Sequence, residues 1–300
     1  MLHEMKMIFI FIDGLGLGEK DKCKNPIFSA ATPALDMIFN SFLVIPTDAT
    51  LGVAGLPQSA TGQTAIFTGI NASKALNRHM QGQPTITLKN ILNENNLFKE
   101  LLNMGYKVTS SNVYRDEYLI KMQDSKDRRN RPSVSSVMSM SCGMKFRTIS
   151  EYNQGQGIYH DITGKILFDN NFSEREITIK EAAERLYNIS RDYDFTLFEH
   201  FLSDIVGHRM DLELAEMEIK LLDSFLGELL KLVDLSEDII FIVSDHGNIE
   251  DISVKTHTFN KVPTIIGGRI PAGITSSIKS LTDITPAIIK IFKDTEVEKL

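Results

Sequence analysis

Six side chains of the types that bind metal ions directly follow, or lie close to, short apolar segments of the sequence. They are Asp13, Asp204, His208, Asp245, His246 and His257. Carboxylates and imidazoles suit zinc, manganese or iron, and with only 2 cysteines the chain offers no thiolate site. Six donors exceed one tetrahedral zinc site but suit two metals that share an open cleft. The pattern therefore predicts a two-metal centre.

A loop at residues 55–64 contains Pro57, glycines, a serine and threonines, and runs into an apolar segment. Such a composition is typical of a turn that opens a helix. A hydroxyl residue at a helix N-terminus lies where free N–H groups attract an anion such as phosphate. Because coordination to a divalent metal can activate a serine hydroxyl, the loop predicts a metal-activated nucleophile.

Each of these features also has a purely structural interpretation. An aspartate after a strand, such as Asp13, is typical of a turn. Asp204 and His208 lie four residues apart and would pair on the surface of a helix. A hydroxyl in the loop would cap a helix. The occurrence of all of them together at predicted strand ends favours the metal centre.

Strands and helices that alternate along the chain must position these side chains. Residues 7–12 form a continuous apolar run, which is typical of a strand buried on both faces. Further strands are predicted at 42–45, 106–110, 195–198, 239–243 and 262–265, and helices at 97–104, 179–189 and 211–233. This order predicts an α/β fold with a mostly parallel central sheet flanked by helices. Ligands bind at the carboxyl edge of such sheets.

Residues 113–176 differ from the flanking segments, because a charged patch at 126–132 is followed by a run rich in serine and methionine. We expect this segment to form a small inserted lid. The predicted ligands come from both flanks, so residues 1–112 and 177–300 are expected to close on one another as a single metal-binding core.

The composition is that of a soluble globular chain, with 42% hydrophobic and 24% charged residues. A net charge of −7 without a basic stripe argues against a nucleic-acid partner. No apolar run approaches the ~18–20 residues of a membrane span, and no secretion signal is evident. We therefore expect a cytoplasmic protein without a membrane partner, whose oligomeric state the sequence does not indicate.

Five short motifs resemble those of the alkaline phosphatase superfamily. They are Ile12-Asp13-Gly14, Ser59-Ala-Thr-Gly-Gln63, Asp204-Ile-Val-Gly-His208, Ser244-Asp-His-Gly-Asn248 and Thr256-His-Thr258. The branch that the chain resembles most comprises the cofactor-independent phosphoglycerate mutases and phosphopentomutases. Residues 25–36 are also similar to the mutase segment after the first metal-binding aspartate. The similarity covers both flanks and not the middle of the chain.

The resemblance implies two ligand sets and a nucleophile. One metal would be held by Asp204, His208 and His257, and the other by Asp13, Ser59, Asp245 and His246. The mutases carry a serine or threonine three residues before Gly-His, and Gly62-Gln63 takes that place here. This selects Ser59 as the nucleophile, with Thr61 as the alternative and Thr64 as a further one.

The implied reaction is phosphoryl transfer on a small phosphorylated metabolite through a phosphoserine, by a hydrolase or a mutase that holds two manganese or zinc ions. The middle segment is shorter than the mutase insertion and lacks its Asp-Gly-Arg-Asp motif, so a general phosphohydrolase or phosphotransferase is expected. The candidates for substrate binding are Arg115, Lys126, Arg128, Arg129, Arg131 and His160. A solvated charged loop explains the basic residues equally well. Two alternatives remain, a sulfatase- or phosphonate-hydrolase-like enzyme and a non-catalytic metal-binding homologue.

Overall fold

The first strand, β1 (Met7–Ile12), is buried along its whole length, because six consecutive apolar residues leave no face for solvent. The computed structural model of the protein describes residues 5–124, 129 and 131–297. Its other strands are β2 (Leu43–Thr47), β3 (Val108–Ser110), β4 (Val113–Tyr114), β5 (Arg147–Thr148), β6 (Phe195–His200), β7 (Ile239–Val243) and β8 (Val262–Gly267).

Six of these strands form one sheet in the order β2-β8-β7-β1-β6-β3. The pairs β1–β6, β1–β7 and β3–β6 are parallel. At the other edge, β8 runs antiparallel to β7, and β2 runs antiparallel to β8. The predicted α/β fold with a mostly parallel central sheet is therefore confirmed. The carboxyl ends of β1, β6 and β7 lie side by side, which brings the loops that follow them to one place.

Helices cover both faces of the sheet. They are α1 (Pro26–Ser29), α2 (Pro33–Ser41), α3 (Ser59–Thr68), α4 (Ala72–Leu76), α5 (Ile86–Glu94), α6 (Leu97–Asn103), α7 (Asp116–Gln123), α8 (Val134–Ser141), α9 (Ile149–Asn153), α10 (Lys165–Asp169), α11 (Ile179–Arg191), α12 (Leu202–Gly207), α13 (Leu212–Leu230), α14 (Ile274–Ser277) and α15 (Ile284–Val297), with a short 3₁₀ helix at Leu281–Asp283. Among the described residues, no helix combines the length and the apolar character needed to cross a membrane.

The side chains of β1 alternate between two cores. Phe9 joins the first core with Phe67 of α3 and Phe195 of β6, and this core includes residues of α5, α6, α8 and α15. Ile10 joins the second core, which includes Phe198 of β6 and residues of α2, α11 and α13. Burial on both faces of the sheet makes the carboxyl edge of β1 a rigid platform for the residues that follow it.

The segment 113–176 carries a second, two-stranded sheet in which β4 and β5 pair in parallel. Its helix α8 contributes Val137 and Met138 to the first core. The segment is thus anchored on the main sheet's own core through α8. Its function as a lid stays a prediction.

Candidate metal centre

Asp204, His208 and His257 form the first cluster of potential metal ligands, with one donor atom of each within 4.8 Å of the others. Asp204 lies in α12, and His208 is the residue that ends this helix. Because they are four residues apart, their side chains lie on the same face. The His208 Nε2 atom lies 3.4 Å from Asp204 Oδ2, and His257 Nε2 lies 3.5 Å from Asp204 Oδ1. The two Nε2 atoms are 3.2 Å apart.

Backbone carbonyls fix the orientation of both imidazoles. His208 Nδ1 lies 2.7 Å from the carbonyl oxygen of Lys255, and His257 Nδ1 lies 2.7 Å from that of Pro57. Since a carbonyl only accepts, each Nδ1 carries the hydrogen. Burial, together with nearby His246, lowers the pKa of His257 to about 4, so this ring is neutral and its Nε2 offers a lone pair. Metal-ligating histidines are held in this way.

The second cluster consists of Asp13, Asp245 and His246, all buried. Asp13 directly follows β1, and Asp245 and His246 follow the adjacent parallel strand β7, so the sheet itself brings them together. The His246 Nε2 atom lies 3.2 Å from Asp13 Oδ1 and 3.7 Å from Asp245 Oδ2. The rings of His246 and His257 stack with their centroids 3.7 Å apart, so the two clusters are adjacent.

The electrostatics of the second cluster favour a cation. Burial is the largest cause that raises the pKa of Asp13 and of Asp245. Repulsion from Asp204 adds to the rise in both groups, and repulsion from Asp13 adds to it in Asp245. Within the described chain, the buried Asp13 Oδ1 atom accepts no hydrogen bond. A divalent cation would compensate these buried charges, and the oxygen and nitrogen donor set suits manganese or zinc.

The hydroxyl of Ser59 faces the second cluster. Ser59 is the first residue of α3, and its Oγ lies 3.0 Å from His246 Nε2. Thr61 and Thr64 use their hydroxyls to donate to the carbonyls of Gln58 and Ala60. The N-cap Gln58 makes no side-chain hydrogen bond to the first turn, and the Thr61 N–H donates to the Met80 carbonyl at 3.3 Å. The N–H groups of Ser59 and Ala60 are therefore the ones that this helix end offers to an anion.

Three further polar residues, to which the sequence pattern assigned no role, hold the candidate ligands or their neighbours by hydrogen bonds. Gln63 Nε2 donates to Asp245 Oδ2 at 3.2 Å, and Asn248 Nδ2 donates to Asp204 Oδ1 at 2.7 Å. Glu250 is fully buried and accepts from the backbone N–H of Asn248 at 2.7 Å. Gln63 and Asn248 are the last residues of the motifs that begin at Ser59 and Ser244. Their positions in these motifs were the sequence signal that they lie near the candidate ligands.

We expect Asn248→Ala to weaken metal binding by about 10–100-fold, because residues that hold a ligand from behind commonly have effects of this size. The variant leaves Asp204 Oδ1 without the amide that orients it. The measurement is a titration of metal-free protein with manganese or zinc. The control is Asn40→Ala, since Asn40 is exposed and its side-chain amide donates to the Asp36 carbonyl. Equal affinities in both variants would contradict the orienting role of Asn248.

Both clusters open into a cleft of about 800 Å³, which is lined by Asp13, Leu56, Gln58, Ser59, Gln63, Gln81, Gly82, Gln83, Ser133, Phe201, Asp204, His208, Lys255, Thr256 and His257.

Of the predicted substrate-binding residues, Arg115 and His160 line a smaller chamber next to the cleft. Arg131 lines a different cavity with Lys89 and Asp124. Arg129 is exposed and, in the described part of the chain, is not in the cleft wall. Lys126 and Arg128 lie outside the described residues.

Comparison with known proteins shows the family of this chain. The model of the metalloenzyme superfamily matches residues 5–294. A 2,3-bisphosphoglycerate-independent phosphoglycerate mutase of Desulforudis audaxviator is 28% identical over 122 residues, 39% of this chain and 24% of that protein. The chain thus spans about a quarter of the length of such curated relatives.

Two solved structures share the fold. Alkaline phosphatase from the Antarctic bacterium TAB5 has a TM-score of 0.56 at 13% identity, covering 96% of this chain and 98% of that one. Leishmania mexicana phosphoglycerate mutase has a TM-score of 0.52 at 14% identity, covering 96% and 95%. The expected resemblance is confirmed, since the relatives matched by sequence are phosphoglycerate mutases and the solved structures that share the fold include an alkaline phosphatase. Because the family model spans nearly the whole chain, the protein belongs to the metalloenzyme superfamily.

Proposed function

We propose that the protein is a metal-dependent phosphoryl-transfer enzyme that acts on a small phosphorylated metabolite through a phosphoserine at Ser59. The observation that carries the proposal is the position of the Ser59 hydroxyl. It lies at the open N-terminus of α3 and 3.0 Å from His246 Nε2, beside two adjacent clusters of metal-binding side chains. A hydroxyl in this setting suits transfer of an anionic group, because metal ions and helix N–H groups stabilise negative charge on the transferring oxygens.

The ligands are assigned to two divalent ions, manganese or zinc. Asp204, His208 and His257 would hold one, and Asp13, Ser59, Asp245 and His246 the other. When bound, divalent ions lower the pKa of a coordinated hydroxyl and neutralise charge on transferring oxygens.

The reaction itself is a double displacement at phosphorus. Ser59 Oγ releases its proton to solvent and forms a bond to phosphorus, while the bond from phosphorus to the alcohol oxygen of the substrate breaks and that oxygen takes up a proton from solvent. The N–H groups at the start of α3 are placed to stabilise the phosphoryl oxygens. In the second displacement, water in a hydrolase, or a second substrate hydroxyl in a mutase, loses a proton and forms a bond to phosphorus. The bond from phosphorus to Ser59 Oγ breaks, and that oxygen regains a proton.

The segment 113–176 is proposed as the lid that distinguishes these two outcomes. Its Ser133 lines the cleft, and its Arg115 and His160 line the adjoining chamber. A lid that excludes water favours return of the phosphoryl group to the substrate. We assign substrate contacts to Arg115 and His160 from this placement, and we expect a cytoplasmic enzyme without a nucleic-acid partner.

The test is a phosphate-release screen over phosphorylated metabolites with manganese or zinc, run beside an assay for isomerised product. We expect release from at least one ester, and none after chelation. Sulfate esters belong in the same screen, since sulfate release alone would support the sulfatase alternative. A preparation that takes up neither metal when supplied would overturn the proposal and favour a non-catalytic homologue.

A further inference from the structure

A smaller chamber of about 230 Å³ adjoins the metal cleft. The two spaces share Ser133 and Phe201 in their walls. A phosphoryl group placed at Ser59 would therefore have two places for the rest of its molecule, the open cleft and this chamber. The chamber's volume exceeds the roughly 150 Å³ of a cavity that is known to hold benzene.

Aromatic side chains form most of the chamber wall. They are Tyr114, Tyr118, Tyr159, His160 and Phe201. The rings of Tyr114 and Tyr118 lie 6.1 Å apart and within 11° of parallel, and a tilted pair is formed by His160 and Phe201 at 5.8 Å. Flat walls of this kind favour an apolar or planar ring, because ring pairs add to the gain from burying apolar surface.

The charges around the chamber disfavour a second anionic group. Of the residues that the structure describes, Arg115 is its one arginine or lysine, and this side chain is exposed with its guanidinium 4.9 Å from the Phe172 ring centroid. Burial lowers the pKa of His160 to about 4, so this ring carries no charge at neutral pH.

The carboxyl of Glu199 lies near the same wall, and burial raises its pKa to about 7, so this group is only partly ionised at neutral pH. It is fully buried, and repulsion from it contributes to the raised pKa values of Tyr114 and Tyr118. A carboxylate or a second phosphate in the chamber would have, in the described part of the chain, only the exposed Arg115 as a cation from the wall, and an incompletely paired buried charge is costly.

We propose that this chamber receives the alcohol side of the substrate and selects phosphomonoesters whose alcohol carries an uncharged ring. The inference rests on the proposed function, since it takes the phosphoryl group to lie at Ser59. It names the substrate class that the cleft alone does not specify. Esters that carry a second acidic group, such as phosphoglycerates, are then poor substrates.

The first experiment compares esters of alkyl alcohols, so that the leaving-group reactivity of an aryl phosphate does not decide the result. With the metal-loaded enzyme, we expect kcat/KM for benzyl phosphate to exceed that for glycerol 1-phosphate and 3-phosphoglycerate by at least tenfold. Equal or higher values for the two small polar esters would overturn the inference and leave the proposed function standing.

The second experiment measures binding without turnover. We expect benzylphosphonate to bind the metal-loaded protein at least tenfold more tightly than methylphosphonate. This preference is measurable even if no ester is hydrolysed, so failure of the proposed function and failure of the inference have different signatures. Equal affinities for the two phosphonates would overturn the inference.

Tyr118 provides the matched variants. Its hydroxyl donates to the Arg131 carbonyl outside the chamber, and its ring forms the wall. Tyr118→Ala is expected to reduce the benzyl preference to less than about threefold, whereas Tyr118→Phe keeps the ring and the preference. Tyr193→Ala, in a separate cavity that shares no lining residue with the chamber, is the control and should leave the ratio unchanged. A preference that survives in Tyr118→Ala, or is lost in Tyr118→Phe, would contradict a role for the ring.

Discussion

Ser59→Ala is expected to reduce turnover of a generic aryl phosphate by at least about a thousandfold while the protein stays folded, since loss of a nucleophile typically has effects of this size or larger. The Ser59 hydroxyl is half-buried at the start of α3, and its Oγ lies 3.0 Å from His246 Nε2. Removing one oxygen there leaves the helix and the sheet edge in place. The measurement is kcat/KM with saturating metal, beside a circular dichroism spectrum.

Trapping of the phosphoenzyme distinguishes Ser59 from the two threonines. Acid quenching of the native enzyme with labelled substrate should leave phosphate on Ser59 itself, located by fragmentation of the peptide that also contains Thr61 and Thr64, and Ser59→Ala should carry none. Thr61→Ser is the matched control, because it keeps the hydroxyl that donates to the Gln58 carbonyl and should retain activity. Label on Thr61 or Thr64, or full activity in Ser59→Ala, would remove Ser59 from the mechanism.

The central strands of the fold were predictable because their apolar runs are continuous. Residues 7–12 and 239–243 are buried along their full length and coincide with β1 and β7. The edge strand β3 begins at Val108, although the pattern predicted a start at 106. Tyr106 instead packs its ring on Phe292 and donates its hydroxyl to the Phe292 carbonyl. Such a tertiary contact has no local signature in the sequence.

The approximate location of the candidate metal ligands was predictable because each follows or precedes a strand of the same sheet. The contacts that orient them were not. Gln63 and Asp245 are 182 residues apart in sequence, and Asn248 and Asp204 are 44 apart. Single-sequence patterns report local periodicity, whereas these hydrogen bonds depend on how distant segments pack.

The predicted substrate contacts likewise depend on how distant segments pack, which a single sequence does not reveal. The arginines of the middle segment were grouped because they are close in sequence. In the structure, Arg115 lies at the chamber and Arg131 lines another cavity. The chamber itself combines residues of β4, α7, the 159–160 turn and the loop after β6, a combination that requires the tertiary fold.

Removal of metal is expected to destabilise the protein strongly. An ion that binds only the folded state at a concentration 1,000 times its Kd adds about 4 kcal/mol to the free energy of unfolding for each site. In the metal-free protein, the pKa values of Asp13 and Asp245 lie above their ordinary value of 3.8. The folded protein therefore binds more protons at these two carboxyls than the unfolded chain does. As a result, the free energy of unfolding falls as pH rises from about 3.8. Thermal unfolding with and without chelator, at pH 5 and pH 8, measures both effects.

Asp245→Asn separates a metal ligand from an ordinary buried carboxylate, because its two expected effects have opposite signs. Without metal, the variant should be more stable than the native protein at pH 8, since it removes a buried charge near Asp13 and Asp204. With metal, it should bind less manganese or zinc and gain less stability. Asp36→Asn, at an exposed position, is the control and should show neither effect. Unchanged metal stoichiometry in Asp245→Asn would contradict the ligand assignment, whereas lower stability without metal would show that the carboxylate is compensated by the protein alone.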